Sequence, residues 1–289
     1  MKPLRIQEVD GSLSVVQTPV TTFIHTESGR QVVVVSTAHF GERTYFQQIV
    51  DDVTDYEQRE FEVYLEGTEH DPAVGAPTAG EQAILTEMKR LRDVEQRRMT
   101  TALGWVSQRE ELRRPSWKAS DLTDPDILRA AGADAMTYFL RRRRQMLDWP
   151  DERPWRDNSM RVVFAASNRM LARGVGTRRP HRNPQVEAFD RVLLDAREAV
   201  VVAAALATKR PAVLVWGAAH RFGIATALAE HGYYPQGDPR WHTVGHLPSM
   251  PISLAKRFLR RPPRPHPQFH PLRQLASADT THRPTHAPS

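Results

Sequence analysis

Residues 32–39 read VVVVSTAH and residues 213–220 read VLVWGAAH, so His39 and His220 each follow an apolar run and three small residues. A side chain just beyond the carboxyl end of a parallel strand faces the ligand crevice of an open α/β sheet. Each histidine also stands where a helix is expected to begin, and the partial positive charge of a helix N-terminus favours neutral imidazole. Neutral imidazole can bind a metal or take a proton from water. Glu66 ends the stretch VYLEG, which sets a carboxylate at the same edge as His39. Arg197 stands just before the apolar run AVVVAAALA (199–207). A helix that is apolar nearly all round is buried. An arginine at its start then requires an anionic partner, either Asp195 or Glu198 nearby or a carboxylate or oxyanion in the crevice. Gly217, Ala218 and Ala219 leave room for a substrate or the facing half of the protein to come close. One histidine after a strand is more often structural than catalytic, but the repeated placement, together with Glu66 and Arg197, favours a site.

The elements that must hold these residues follow from the hydrophobic pattern. LRIQEV and LSVVQ flank Asp10-Gly11, a dipeptide suited to a tight hairpin turn, and TTFIH and QVVVVS flank TESGR in the same way. VVVVS is almost wholly apolar, as a strand buried on both faces must be. Tyr45, Phe46, Ile49, Val50 and Val53 recur at helical spacing and predict a helix over about 42–55. FEVYLEG (61–67) follows as a strand, and strand, helix, strand implies a parallel pair. AVLVWGAAHRFGIATALAEHGYY repeats the order of strand, small-residue turn, histidine and helix, with HTVGHL (242–247) expected to supply the next strand. The expected fold is therefore α/β, with two pseudo-symmetric β-α-β halves forming one mixed sheet and with VVVVS and AVLVW as interior strands. A helical insertion is expected over about 81–183, carried by EQAILTEMKRLRDVEQRRM and DILRAAGADAMTYFLRRRRQML, with RVVFAA as a strand or a buried helix turn. Pro184 suits the first turn of a long helix over about 184–208. The α/β domain spans 1–259. The Pro/Arg/His-rich stretch 260–289 lacks apolar periodicity and is expected to be a disordered tail.

Composition narrows the function classes. The chain has 289 residues, 40% of them apolar, which suffices for a sizeable core. It has no cysteine, which excludes disulfides, thiolate metal sites and a cysteine nucleophile. MKPLRIQEVDGS lacks the apolar core of a secretory signal, and AVVVAAALA is too short to cross a bilayer. A soluble, cytoplasmic protein without a transmembrane segment is expected. The net charge of +6 gathers in RRRR (141–144), in TRRPHR (177–182) and in the tail. No helix-turn-helix, zinc finger or aromatic-basic pattern accompanies it, which argues against a nucleic-acid partner, and a solvated helix face explains RRRR. His242 and His246, four apart on a strand, are separated by roughly 13 Å, too far for one metal. There is no HExxH motif, and RGVGTRR (173–179) lacks the lysine-serine of a phosphate-binding loop. His266, His270, His282 and His286 in the tail are expected to bind metal only adventitiously.

The same residues carry a family resemblance. VVVVSTAHFGERTYFQQIVDDV with EFEVYLEGT, and VLLDAREAVVVAAALATKRPAVLVWGAAHRFGIATALAEHGY, resemble the TraB/PrgY/TIKI superfamily over about 30–70 and 187–235. That family shows a GTAH-like motif and a glutamate ending the next strand. It also shows an acidic-Arg-acidic helix motif and a GAGH-like motif followed by Gly-Ile. The matching positions are His39, Glu66, Arg197, Gly217 and His220, while Ser36 stands where the first motif usually has glycine. The resemblance implies a pseudo-symmetric α/β fold, related to that of erythromycin esterases and haem-associated lipoproteins, with a hydrolase-like site of two histidines and a glutamate. Some members are proteases dependent on divalent manganese or cobalt, and others are linked to peptide-pheromone shutdown. A divalent metal held by His39, Glu66 and His220 is thereby implied.

The leading expectation is a hydrolase acting on a peptide or small-molecule substrate, in its family-implied form a metal-dependent peptidase. His39, Glu66 and His220 would hold the metal or activate water, and Arg197 would stabilise developing negative charge or orient Glu66. The alternative is a non-catalytic peptide- or ligand-binding regulator that keeps the fold. A shared site requires the two imidazoles to lie within roughly 8 Å of one another, near enough to share a metal or one water.

Overall fold

A computed structural model describes residues 2–10, 13–67, 75–147, 172 and 183–248. β1 (Arg5–Asp10) runs antiparallel to the first half of β2 (Leu13–His25). LSVVQ and TTFIH form one 13-residue strand, buried at alternate residues from Ser14 to Val20 and at every residue over Thr18–Thr21, where both faces are covered. The second half of β2 pairs antiparallel with β3 (Gln31–Thr37), as the turn residues TESGR suggest. After β4 (Phe40–Gly41) comes α1 (Arg43–Gln58), which buries Tyr45, Phe46, Ile49, Val53 and Tyr56 along one stripe. β5 (Glu62–Leu65) follows.

The described part of the insertion is helical, with small strands between. α2 (Ala79–Leu103) starts at a reciprocal Thr78/Glu81 cap and stops at Gly104, whose left-handed conformation (φ 67°) a side chain would resist. β6 (Val106–Ser107) pairs with β4, and α3 (Gln108–Glu111) follows. β7 (Lys118–Ala119) adds a short parallel strand to β5. DILRAAGADAMTYFLRRRRQML is divided at Gly132 into α4 (Asp124–Ala131) and α5 (Ala133–Leu147). Met88, Leu91, Leu128, Met136, Leu140 and Phe189 give these helices a core of their own. RVVFAA, TRRPHR, RGVGTRR and the expected tail lie outside the described residues.

The long helix expected over 184–208 exists as one run with a change of pitch. α6 (Pro184–Asp190) passes through a π-helical stretch, Arg191–Ala196, into α7 (Arg197–Ala207). β8 (Ala212–Gly217) is buried at every position. A single 3-10 turn, Ala218–His220, leads into α8 (Arg221–Glu230), then β9 (Tyr233–Pro235) and β10 (Arg240–Pro248).

The fold is α/β, built on a mixed sheet of eight strands. Its main order is β1-β2-β3-β8-β5-β7, with β9 and β10 also pairing with β2. β3 and β8 are interior, adjacent and parallel. One face of the sheet packs Val33, Val35, Val213 and Val215 against α1, and the other packs Val32, Val34, Leu214 and Trp216 against α7 and α8. The two strand-histidine-helix units thus send their helices to opposite faces, the placement a twofold axis along the strands produces. Strand pairing departs from the expected pattern in two places. β5 does not pair with β3, because β8 lies between them. The second half returns through β9 and β10 to β2, antiparallel to it, because β2 already covers the free edge of β3. No helix among the described residues is long and apolar enough to cross a membrane.

Candidate functional site

The carboxyl ends of β8, β5 and β7 and the start of α7 converge on one ionic network. Glu66 leaves β5 with its N–H still bonded to the Val215 carbonyl (3.0 Å), which holds it beside β8. Its Oε2 accepts the Gly217 N–H at 2.6 Å. A Cβ at position 217 would lie 2.9 Å from that oxygen, so the approach requires glycine. Arg197, the first residue of α7 after the π-helical stretch, donates from Nη2 to Glu66 Oε1 at 2.7 Å. It also holds Asp121 in a two-point grip, Nε to Oδ1 at 2.8 Å and Nη2 to Oδ2 at 2.5 Å. Asp121 reaches the site because β7 pairs with β5, and it also accepts the N–H groups of Gly67 and Leu122.

His220 completes the network. Its Nε2 lies 3.3 Å from Arg197 Nη1 and its Nδ1 lies 3.3 Å from Glu198 Oε1. A guanidinium can only donate, so Nε2 accepts and the ring proton belongs on Nδ1, facing Glu198. Trp216 packs edge-on against His220 with ring centroids 5.2 Å apart, and the Arg197 guanidinium carbon lies 5.5 Å from the Trp216 ring centre. Arg197 has five N–H groups and places four of them on Asp121, Glu66 and His220. The fifth, on Nη1, has no partner among the described residues.

Burial, the largest single influence, pushes the Glu66 carboxyl up, but the opposing effects together outweigh it. Positive charge on His39 and on His220, and then Arg197 by charge and hydrogen bond, hold it down to about 2. Burial would lower Arg197, yet the Asp121 hydrogen bond and the charges of Glu66 and Asp121 raise it above the ordinary arginine range. Arg221, the next buried arginine, is only lowered, by burial, to about 10 and stays charged at neutral pH.

The loop carrying His39 is positioned from behind. The Tyr45 hydroxyl accepts the Ala38 N–H at 3.0 Å and lies 2.9 Å from Thr18 Oγ1. Burial pushes that hydroxyl far above the usual tyrosine range, so it stays protonated. Gln108 bonds the His39 carbonyl through its N–H (2.9 Å) and accepts the Thr37 hydroxyl (3.0 Å). The His39 side chain itself is exposed at the rim, and its ring forms no hydrogen bond among the described residues.

Of the residues singled out from the sequence, Glu66, Arg197, Gly217 and His220 meet in the network. His39 bears on it from the rim through its charge on Glu66. The anionic partners of Arg197 are Glu66 and Asp121, with Glu198 turned to His220 instead. Asp121, Gln108 and Tyr45 escaped sequence reasoning. Asp121 lies in the polar run SDLTD after a two-residue strand, where no periodicity can show. His242 and His246 are each paired with their own carboxylate, Asp52 at 2.8 Å and Glu42 at 3.0 Å, on separate parts of β10.

A divalent cation held by His39, Glu66 and His220 does not fit this arrangement. Both Glu66 oxygens and the His220 Nε2 lone pair are directed at donors, and the Arg197 guanidinium bridges the two residues, whose Oε1 and Nε2 lie 3.7 Å apart. No group of three His, Asp or Glu side chains that could hold a metal ion occurs among the described residues. Comparison with protein-family models, with curated proteins and with solved structures found no match.

Proposed function

We propose that this corner is a hydrolase-like site acting on a peptide or small-molecule substrate with a polarised carbonyl. The observation that carries the reading is the pairing of an exposed, unbonded imidazole with a buried ionic network that has one N–H to spare. His39 takes a proton from water as the water oxygen bonds to the carbonyl carbon. The carbonyl electron pair moves to oxygen, and the free Arg197 N–H stabilises the charge that develops there. His39 then returns the proton to the leaving group as the scissile bond breaks. Glu66, Asp121, His220 and Glu198 fix Arg197 in place. Glu66 is held too acidic to serve as the base, and both its oxygens already accept hydrogen bonds. The resemblance of residues 30–70 and 187–235 to the TraB/PrgY/TIKI superfamily supports the same reading.

The second reading is a non-catalytic peptide- or ligand-binding regulator, and the saturation of Glu66 and His220 favours it. One experiment separates the two. The full chain, purified without a histidine tag, is profiled on ester, amide and peptide substrates under chelation and with added manganese or cobalt. Turnover under chelation supports the proposal. Turnover only with manganese or cobalt restores the metal-dependent form that the resemblance implies and requires Arg197 to release its partners. No turnover in any class, with a ligand still bound, supports the regulator.

A further inference from the structure

Arg197, partly exposed, and Arg221, fully buried, both lie on the α7/α8 side of the sheet, and among the described residues only Arg197 has a counter-charge. Arg197 holds two carboxylates. Arg221, the first residue of α8, is 4% exposed, and its one hydrogen bond runs from Nη2 to Thr21 Oγ1 at 2.6 Å. Among the described residues its Nε and Nη1 have no partner, and neither do the buried Trp216 Nε1 and Ser36 Oγ. Seven buried side-chain nitrogen or oxygen atoms lack a partner among the described residues, and these are four of them. Such a concentration in three side chains calls for one shared cause.

Strand register puts the three together. Ser36 and Trp216 are direct partners in the parallel β3–β8 pair, so their side chains stand side by side on one face, about 5 Å apart. Thr21 pairs with Val34, two residues before Ser36 on the same face, a diagonal of roughly 7–8 Å. The guanidinium held at Thr21 therefore reaches the same patch. Arginine and indole can only donate, and the serine hydroxyl can donate as well. A charged donor cluster without an acceptor is strongly unfavourable in a protein interior. A water molecule accepts too few bonds and leaves the charge uncompensated. The three residues are at most 4% exposed, so the occupant is small.

We infer that Arg221, Trp216 and Ser36 enclose a site for one chloride-sized monoanion where β2, β3 and β8 meet. Arg221 directly follows His220, and the Trp216 ring packs on His220. The bound anion thus ties the sheet to the segment that carries His220, whether or not the neighbouring corner is catalytic.

The test is thermal unfolding of the full chain in gluconate buffer, titrated with chloride at constant ionic strength. The expected result is a saturable rise in Tm, roughly 5–10 °C at a hundredfold excess over Kd. Arg221→Met keeps the stem and removes the charge, and it should abolish the rise. Ser36→Ala keeps the fold and should weaken chloride binding roughly tenfold, which decides the matter if Arg221→Met fails to fold. A crystal grown in bromide should show an anomalous peak among the three side chains. A Tm that ignores chloride, an unchanged chloride response in Ser36→Ala, or bromide only at other positions would overturn the inference.

Discussion

Replacing Glu66 with glutamine keeps the shape of the side chain and removes the charge from the centre of the network. Glu66 is brought from its ordinary value of 4.5 down to about 2. That difference corresponds to about 3 kcal/mol of folded-state stabilisation of the ionised form. Its side chain is only 9% exposed, so solvent screening takes little from the figure. A depressed carboxyl contributes fully above its unfolded value and loses its contribution as pH falls through the folded value. Part of that depression comes from charge on His39 and His220, which the neutral rings used at this site do not supply, so Glu66→Gln should be less stable than the wild type at pH 7 by about 1–3 kcal/mol. The gap should hold down to about pH 4.5 and close progressively toward pH 2. The glutamine amide adds to the loss, because its NH2 must face either the Gly217 N–H or an Arg197 N–H. Urea unfolding followed by tryptophan fluorescence, repeated across this pH range for both proteins, measures the gap. A gap below about 0.5 kcal/mol at pH 7, or one that stays constant into acid, would refute the assignment of Glu66 as the anion of a buried network.

Asp121→Asn leaves Arg197 with one carboxylate and should cost about 1–3 kcal/mol, read as a fall in calorimetric Tm. Gly217→Ala forces a Cβ to within 2.9 Å of Glu66 Oε2 and should destabilise by about 1–3 kcal/mol in chemical denaturation. Tyr45→Phe removes the acceptor of the Ala38 N–H in a fully buried position. It should cost about 1–3 kcal/mol by the same assay and reduce turnover through the displaced His39 loop.

The parts of the fold that were legible in the sequence are those whose burial is recorded locally. VVVV and AVLVW are apolar at every position because the strands they form are covered on both faces, and the helix after the first shows its stripe through residues such as Tyr45, Phe46 and Ile49. The order of strands is not recorded locally. Nothing in FEVYLEG tells that β8 will stand between it and β3, since a crossover connection can skip a position without changing the hydrophobic pattern of either strand. At the site, Arg197 announced itself through a mismatch, a charge opening an apolar helix, and the mismatch demanded an anion without saying which. The nearest in sequence, Asp195 and Glu198, were the wrong ones. Helical geometry turns Glu198 toward His220, and Asp121 arrives through a two-residue strand too short to leave a periodic trace. The two histidines, alike in sequence, differ in setting. His220 is enclosed by Trp216, Arg197 and Glu198, while His39 is exposed at the rim.

That difference makes His39 the residue on which the hydrolase proposal turns. The most direct measurement is kcat/KM of His39→Gln against the wild type on whichever substrate the profile identifies, with melting curves for both. Because the His39 side chain is exposed and unbonded, Tm should stay within about 1 °C, while kcat/KM should fall by roughly 10²–10⁴-fold as the general base is lost. Unchanged turnover in a normally folded His39→Gln protein would contradict the proposal.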